Sequence, residues 1–313
     1  MKEFFSRPLI LSMISISAFA TFGSGCGDDP GDGADLRIVT SLPLFADMAS
    51  NVAGDQAQVD SLLPSGADAH TYEPSPDDVR KVAQADVVFA NGLNLEPSAL
   101  RVIGANLADN AVLVELGEAT LAAGTNAVIP SEDEDDSAGN PHLWMDVTLG
   151  KQYARIIRDT LIDVDPEGRV LYEQHYADYA ATLDGTADYI DAAVSGVPAE
   201  YHKIVSTHDA FDYLARSIGF EVAGFVVPSP GQEPSPADLR EIIDAIEEFG
   251  IPAVFSEPQT DAEAATLEQV AADAGVEVCT LYSDAFDDTV RTYVDLLRFD
   301  ADELAQCLGG AGG

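Results

Sequence analysis

Short apolar runs alternate with helical patterns along most of the chain. In the first half the strand-like runs are LRIVTSL (36–42), VDSLLP (59–64), DVVFANG (86–92) and AVLVEL (111–116). In the second half they are KIVSTH (203–208), VAGFVV (222–227), AVFSEP (253–258) and VEVCTLY (276–282). Between them lie helical stretches such as PLFADMASNVAG and PADLREIIDAIEEFG. The latter places Leu239, Ile242, Ile243 and Ile246 on one face, the spacing of a helix that buries a single stripe. Strands that alternate with helices imply α/β architecture with mostly parallel sheets. Four strands in each half predict two similar lobes, each a four-stranded sheet flanked by helices.

The middle of the chain breaks this rhythm. After a helical stretch at 148–163, residues 166–194 carry no strand signal. Tyr172, Tyr176, Tyr179, Leu183, Ala187, Ile190 and Val194 recur at steps of three and four. Pro166 suits a first helical turn, and Gly185 weakens the pattern without breaking it. A helix over 166–194 would span about 40 Å and act as a stiff spine between the lobes. The expected organisation is therefore an N-terminal lobe at 35–165, the linking helix at 166–194 and a C-terminal lobe at 195–308.

The N-terminus reads as an address. Lys2 and Arg7 precede an apolar stretch, LILSMISISAFATF (9–22), which is too short to span a membrane and suits a signal peptide. It ends in GSGCG. A cysteine after small residues predicts cleavage before Cys26 and lipidation on it, although Gly23 departs from the usual leucine. Ordinary secretion is the alternative. Residues 27–34 then form a polar tether. The expected location is the outer face of a membrane, held there by lipid.

Charge and cysteines narrow the classes. The formal net charge is −40, so nucleic acid is an improbable partner. Acidity of this size also keeps proteins soluble at high salt. SEDEDDSAG (131–139) has no apolar anchor and predicts an exposed, disordered acidic loop. The chain has three cysteines. With Cys26 taken by lipid, export favours a Cys279–Cys307 disulfide, with two unpaired thiols as the alternative.

The chain has five histidines. His70 in GADAHTYEPSPDD, His142 in GNPHLWMD and His208 in VSTHDAF each lie at a strand end or in the loop beyond one. Asp284, in LYSDAF, occupies the same kind of position. Three imidazoles and one carboxylate can close the first shell of a transition metal. A lone histidine at a strand end more often makes ordinary loop hydrogen bonds, and Asp284 could instead cap a helix in DDTVRTYVDLL. Glu73 and Glu257 are candidates to orient imidazole N–H groups. Trp144 and Phe211 are expected to wall the cleft, and His175 and His202 to lie at the surface. Imidazole ligands predict that binding fails near about pH 5.

GADAHTYEPSPDD, NPHLWMD, HDAF, EPQ and SDAF, in that order, resemble the metal-binding solute-binding proteins of ABC importers for zinc and manganese, the zinc-uptake or TroA-like cluster. The resemblance covers nearly all of the chain beyond the leader. It implies two α/β lobes joined by a rigid helix, with metal in the cleft. It implies His70 and His142 as ligands from the first lobe, and His208 and Asp284 from the second. A histidine at 208 resembles the zinc members, whereas manganese members tend to place glutamate there. The acidic EDEDD replaces the histidine-rich loop common in zinc members and blurs the distinction. The function implied is capture of Zn²⁺, or alternatively Mn²⁺ or Fe²⁺, and delivery to an ABC permease and its ATPase subunit. The protein is then a monomeric binding protein without enzymatic activity. Some members have also been read as adhesins. The rival from another class is a secreted zinc hydrolase using Glu73 or Glu257 as base, although the chain has neither HExxH nor GxSxG.

Overall fold

A computed structural model describes residues 36–124, 128–130 and 138–310. The leader, Cys26, the tether and nearly all of the acidic loop lie outside the described residues.

All eight apolar runs are strands, trimmed or shifted by a few residues at their ends. β1 (Leu36–Thr40), β2 (Ala57–Ser61), β3 (Val87–Ala90) and β4 (Val112–Glu115) form one sheet in the order β2-β1-β3-β4. β5 (Lys203–His208), β6 (Glu221–Val227), β7 (Ala253–Ser256) and β8 (Glu277–Thr280) form the other in the order β6-β5-β7-β8. Every pairing is parallel. The two orders are the same, so the lobes repeat one topology. Parallel neighbours need helical crossovers that cover both faces, and β3 (VVFA) accordingly is buried at all four positions.

The helices are α1 (Pro43–Ala53), α2 (Pro76–Gln84), α3 (Pro97–Asn106), α4 (Leu116–Ala122), α5 (Val147–Val164), α6 (Arg169–Val194), α7 (Asp212–Ile218), α8 (Pro236–Phe249), α9 (Asp261–Ala274) and α10 (Tyr293–Gly309). Pro43, Pro76, Pro97 and Pro236 each open a helix, where proline loses no hydrogen bond. Ser75 with Asp78, and Ser235 with Asp238, close capping boxes.

The long helix starts later than the sequence suggests, at Arg169 rather than 166. Pro166 instead lies in the turn that reverses the chain between α5 and α6, and Tyr172 Oη donates to Asp165 Oδ2 at 2.8 Å across it. With 26 residues, α6 spans about 39 Å. It buries Tyr172, Tyr179, Leu183, Thr186, Ile190 and Val194, and packs against α1, α5 and α10.

One hydrophobic core runs through both lobes. It contains Ile38 and Val88 of the first sheet, Trp144 and Ile157, Tyr179 and Leu183 of α6, Phe255 of the second sheet and Tyr293 of α10. A smaller cluster, including Val205, Val226, Ile242, Ile246 and Leu267, fills the layer under α8 and α9. Polar bonds cross between the lobes as well. Trp144 Nε1 donates to the Ser283 carbonyl at 2.7 Å, Tyr293 N to Asp47 Oδ2 at 3.1 Å, and Tyr293 Oη to the Trp144 carbonyl. A disulfide joins Cys279 of β8 to Cys307 of α10.

Candidate metal centre

Open parallel sheets bind ligands beyond the carboxyl ends of their strands, where the strand order reverses. Here that point lies between β1 and β3 in one sheet and between β5 and β7 in the other. His208 is the last residue of β5, and Glu257 follows β7 directly. His70 lies in the β2–α2 connection. His142 lies just before α5, in a loop pinned by Asn91 beyond β3. Asn91 Nδ2 donates to the Pro141 carbonyl at 3.0 Å, and Tyr153 Oη donates to Asn91 Oδ1 at 2.7 Å.

The three imidazoles meet. His142 Nε2 is 3.3 Å from His70 Nε2 and 3.4 Å from His208 Nε2. Ring nitrogens of all three lie within 4.8 Å of one another. His142 and His208 are buried and His70 is half-buried. Each Nδ1 faces a different partner. His208 Nδ1 is 2.8 Å from Glu257 Oε1, His142 Nδ1 is 2.9 Å from Asn140 Oδ1, and His70 Nδ1 is 3.2 Å from Ser229 Oγ. The Glu257 carboxylate and the Asn140 amide oxygen call for N–H at Nδ1 of His208 and His142, the Ser229 hydroxyl can accept from His70 Nδ1, and the three Nε2 atoms point at one another. Converging lone pairs repel unless a proton or a cation lies among them, so the arrangement suits a metal.

Asp284 is also buried, at 1% exposure, but outside the tight nitrogen cluster. Its Oδ2 accepts from Ala69 N at 3.1 Å, across the lobes, and its Oδ1 accepts from Gln259 Nε2 at 2.7 Å. The helix-cap alternative does not hold, since α10 starts at Tyr293 and its cap is Thr292. Asp68 lies close by. Its Oδ1 accepts from Thr71 N at 2.9 Å and Thr71 Oγ1 at 2.8 Å, while its buried Oδ2 has no hydrogen-bond partner among the described residues. An orphaned carboxylate oxygen two residues before His70 and within the field of His208 is a further sign that the pocket is built for a cation.

Electrostatics separate the three histidines. Burial holds His70 down to about 3, with the charge on His208 adding to the effect. Burial, with the charges on His208 and His70 adding to it, also holds His142 well below its usual value, so both stay neutral. For His208 burial also pulls downward, but the Glu257 charge and its hydrogen bond outweigh it and raise the ring to about 9. Burial and the neighbouring Asp68 raise Asp284 to about 7.

Other expectations need correction. Glu73 is exposed and accepts from Ser98 Oγ at 2.7 Å; the imidazole partners are Ser229, Asn140 and Glu257 instead. His175 and His202 are half-buried rather than at the surface. His175 Nδ1 is 3.2 Å from the Val52 carbonyl, and His202 stacks on Phe220 with centroids 4.2 Å apart. Trp144 packs edge-on against His142, with centroids 5.3 Å apart. Sequence reasoning missed Asn140, Asp68, Ser229 and Gln259. The first two stand two residues before His142 and His70, which was the available signal. Gln259 closes the EPQ string, and Ser229 is brought in only by the fold.

This fold and this pocket define a metal-binding substrate-binding protein of the ABC-transporter type. The chain belongs to the family described as zinc-uptake complex component A, periplasmic, whose model matches residues 38–307. It is 31% identical over 301 residues to the manganese-binding lipoprotein MntA of Halalkalibacterium halodurans, covering 94% of this chain and 96% of that protein. It is 28% identical over 313 residues to the iron-binding protein YfeA of Yersinia pestis, covering 98% of each chain. The solved structure of the periplasmic zinc-binding protein TroA of Treponema pallidum superposes with a TM-score of 0.78 at 26% identity, covering 87% of this chain and 99% of that one.

Proposed function

We propose that this protein captures Zn²⁺ outside the cell membrane on His70, His142 and His208, with Asp284 as the oxygen ligand, and delivers it to an ABC permease driven by a cytoplasmic ATPase. The observation that carries the reading is the convergence of three Nε2 atoms, each ring fixed by its own Nδ1 partner. Three imidazoles and one carboxylate suit borderline-soft Zn²⁺, and a shell closed by protein ligands suits retention rather than turnover. The lipid on Cys26 would keep a monomeric receptor beside its permease.

Mn²⁺ is the second reading, and the carboxylates favour it. Asp68 and Asp284 are both buried beside the histidines, and oxygen donors suit Mn²⁺. Relatives named for manganese, iron and zinc leave the choice of ion to experiment. The hydrolase reading has lost its bases. Glu257 is occupied by His208 and Thr207, and Glu73 is turned to Ser98.

The test is metal analysis of protein purified without chelator, followed by Zn²⁺ and Mn²⁺ competition. One tightly held ion per chain, with Zn²⁺ displacing Mn²⁺, supports the reading. Binding that is unchanged in the His142→Ala and His208→Ala variants overturns it.

A further inference from the structure

His70 differs from the other two histidines in where its ring is held. His208 Nδ1 is held by Glu257 from the same lobe, and His142 Nδ1 by Asn140, two residues before it. The His70 ring is held from the opposite lobe, by Ser229, 159 positions along the chain. We propose that Ser229 positions His70 across the cleft, and that the loop carrying it governs how fast metal leaves. This rests on the reading of His70 as a ligand.

The loop is built for such contact. It joins β6, which ends at Val227, to α8, which begins at Pro236. Pro228 and Pro230 flank Ser229 and restrict its backbone. Gln232 N donates to the Ser229 carbonyl at 3.4 Å, which closes a turn. Gly231 has φ +83°, and its N–H donates to Glu263 Oε1 at 2.9 Å, so α9 braces the tip. The tip also rests on the N-terminal lobe: a Cβ at Gly231 would lie 3.3 Å from Thr71 Cγ2, next to His70. Gly231, Gln232 and Glu233 are exposed, whereas Ser229 is partly buried against the imidazole.

The chemistry follows from the tautomer. The Ser229 hydroxyl accepts the His70 Nδ1 proton, which fixes the ring orientation and keeps the Nε2 lone pair on the metal. Without it nothing holds Nδ1, and the ring is out of register with the metal part of the time. The hydroxyl belongs to the other lobe, so moving the exposed tip away from the N-terminal lobe withdraws it from His70 without disturbing His142 or His208. His70 is then the first ligand to let go.

The experiment uses the full chain loaded with Zn²⁺, with release into excess chelator followed by stopped flow. Ser229→Ala should speed release about tenfold, the effect usual for losing a residue that orients a metal-bound imidazole. Ser229→Thr, which keeps the hydroxyl, should restore the wild-type rate. Nitrogen NMR of His70 in the metal-free protein supplies a readout independent of folding: Ser229→Ala should shift the tautomer population away from Nδ1–H, and the threonine variant should not. Wild-type release and an unshifted His70 signal in Ser229→Ala overturn the proposal. Running His142→Ala alongside separates the two failures. If it loses zinc while Ser229→Ala behaves as wild type, only the positioning role falls; if it binds zinc normally, the metal site falls and the positioning role with it.

Discussion

His208 Nδ1 lies 2.8 Å from Glu257 Oε1, and neither side chain reaches solvent. In the metal-free protein the pair is an imidazolium held by a carboxylate. The second proton, on His208 Nε2, points at His142 Nε2 and occupies the space a metal ion would take. Metal and proton therefore compete through one residue. With His208 raised to about 9 and Asp284 to about 7, binding should release one proton between those values and approach two below about 7. Apparent affinity should rise about tenfold per pH unit from neutral to about pH 9, then level off. His70 and His142 add little, because burial already keeps them neutral. Loss of binding near pH 5 by general imidazole protonation is thus replaced by a slope that starts much higher. Calorimetry in buffers of different ionisation enthalpy measures the release, and a result of no proton released at neutral pH contradicts this account.

Glu257→Gln keeps an oxygen for the His208 ring but removes the charge. The ring pKa should drop, because burial then acts unopposed. Proton release at neutral pH should lose the His208 contribution, and at about pH 9 and above, where no proton competes for the ring, affinity should fall about 10–100-fold, as for other groups behind a metal-bound histidine. Titration of Zn²⁺ into the variant checks both. Unchanged affinity with unchanged proton release would show that Glu257 serves only the strand end.

Trp144 is fully buried, packs on Phe45 and His142, and donates to Ser283 in the opposite lobe. Trp144→Ala leaves a large cavity at the junction and should cost about 3–5 kcal/mol of stability. Denaturant unfolding of the metal-free variant measures it; a loss below about 1 kcal/mol, the level of a surface change, would mean that the lobes are not joined through this ring.

The lobes should tilt only slightly on metal loading. A single core passes through both sheets, α6 packs against α1, α5 and α10, and Asp47 and Trp144 each bond across to α10. Small-angle scattering of metal-free and loaded protein should show radii of gyration within about 1 Å, unlike the larger change of a hinged closure. A change of several ångströms contradicts the shared core.

The fold was largely legible because parallel α/β structure writes its period plainly. KIVSTH becomes β5 with the same ends, and His208 closes it. The three histidines were visible as strand-end residues in ordered motifs. What escaped was whatever depended on long-range approach. Ser229 reaches His70 from 159 positions away with nothing local to mark it, and Gln259, though it closes the EPQ string, bonds Asp284 from 25. His202 looked like a surface residue because its partner, Phe220, lies beyond the next helix. Pro166 was misplaced by helix-start statistics, since the same residue also suits the turn between antiparallel helices.

X-ray absorption spectroscopy at the zinc edge, on protein carrying one Zn²⁺ per chain, reads the ligand set itself. The spectrum should show three imidazole nitrogens at about 2.0–2.1 Å with an oxygen ligand, and no sulfur. A shell of oxygens alone, or one containing sulfur from Cys279 or Cys307, would contradict the proposed ligands.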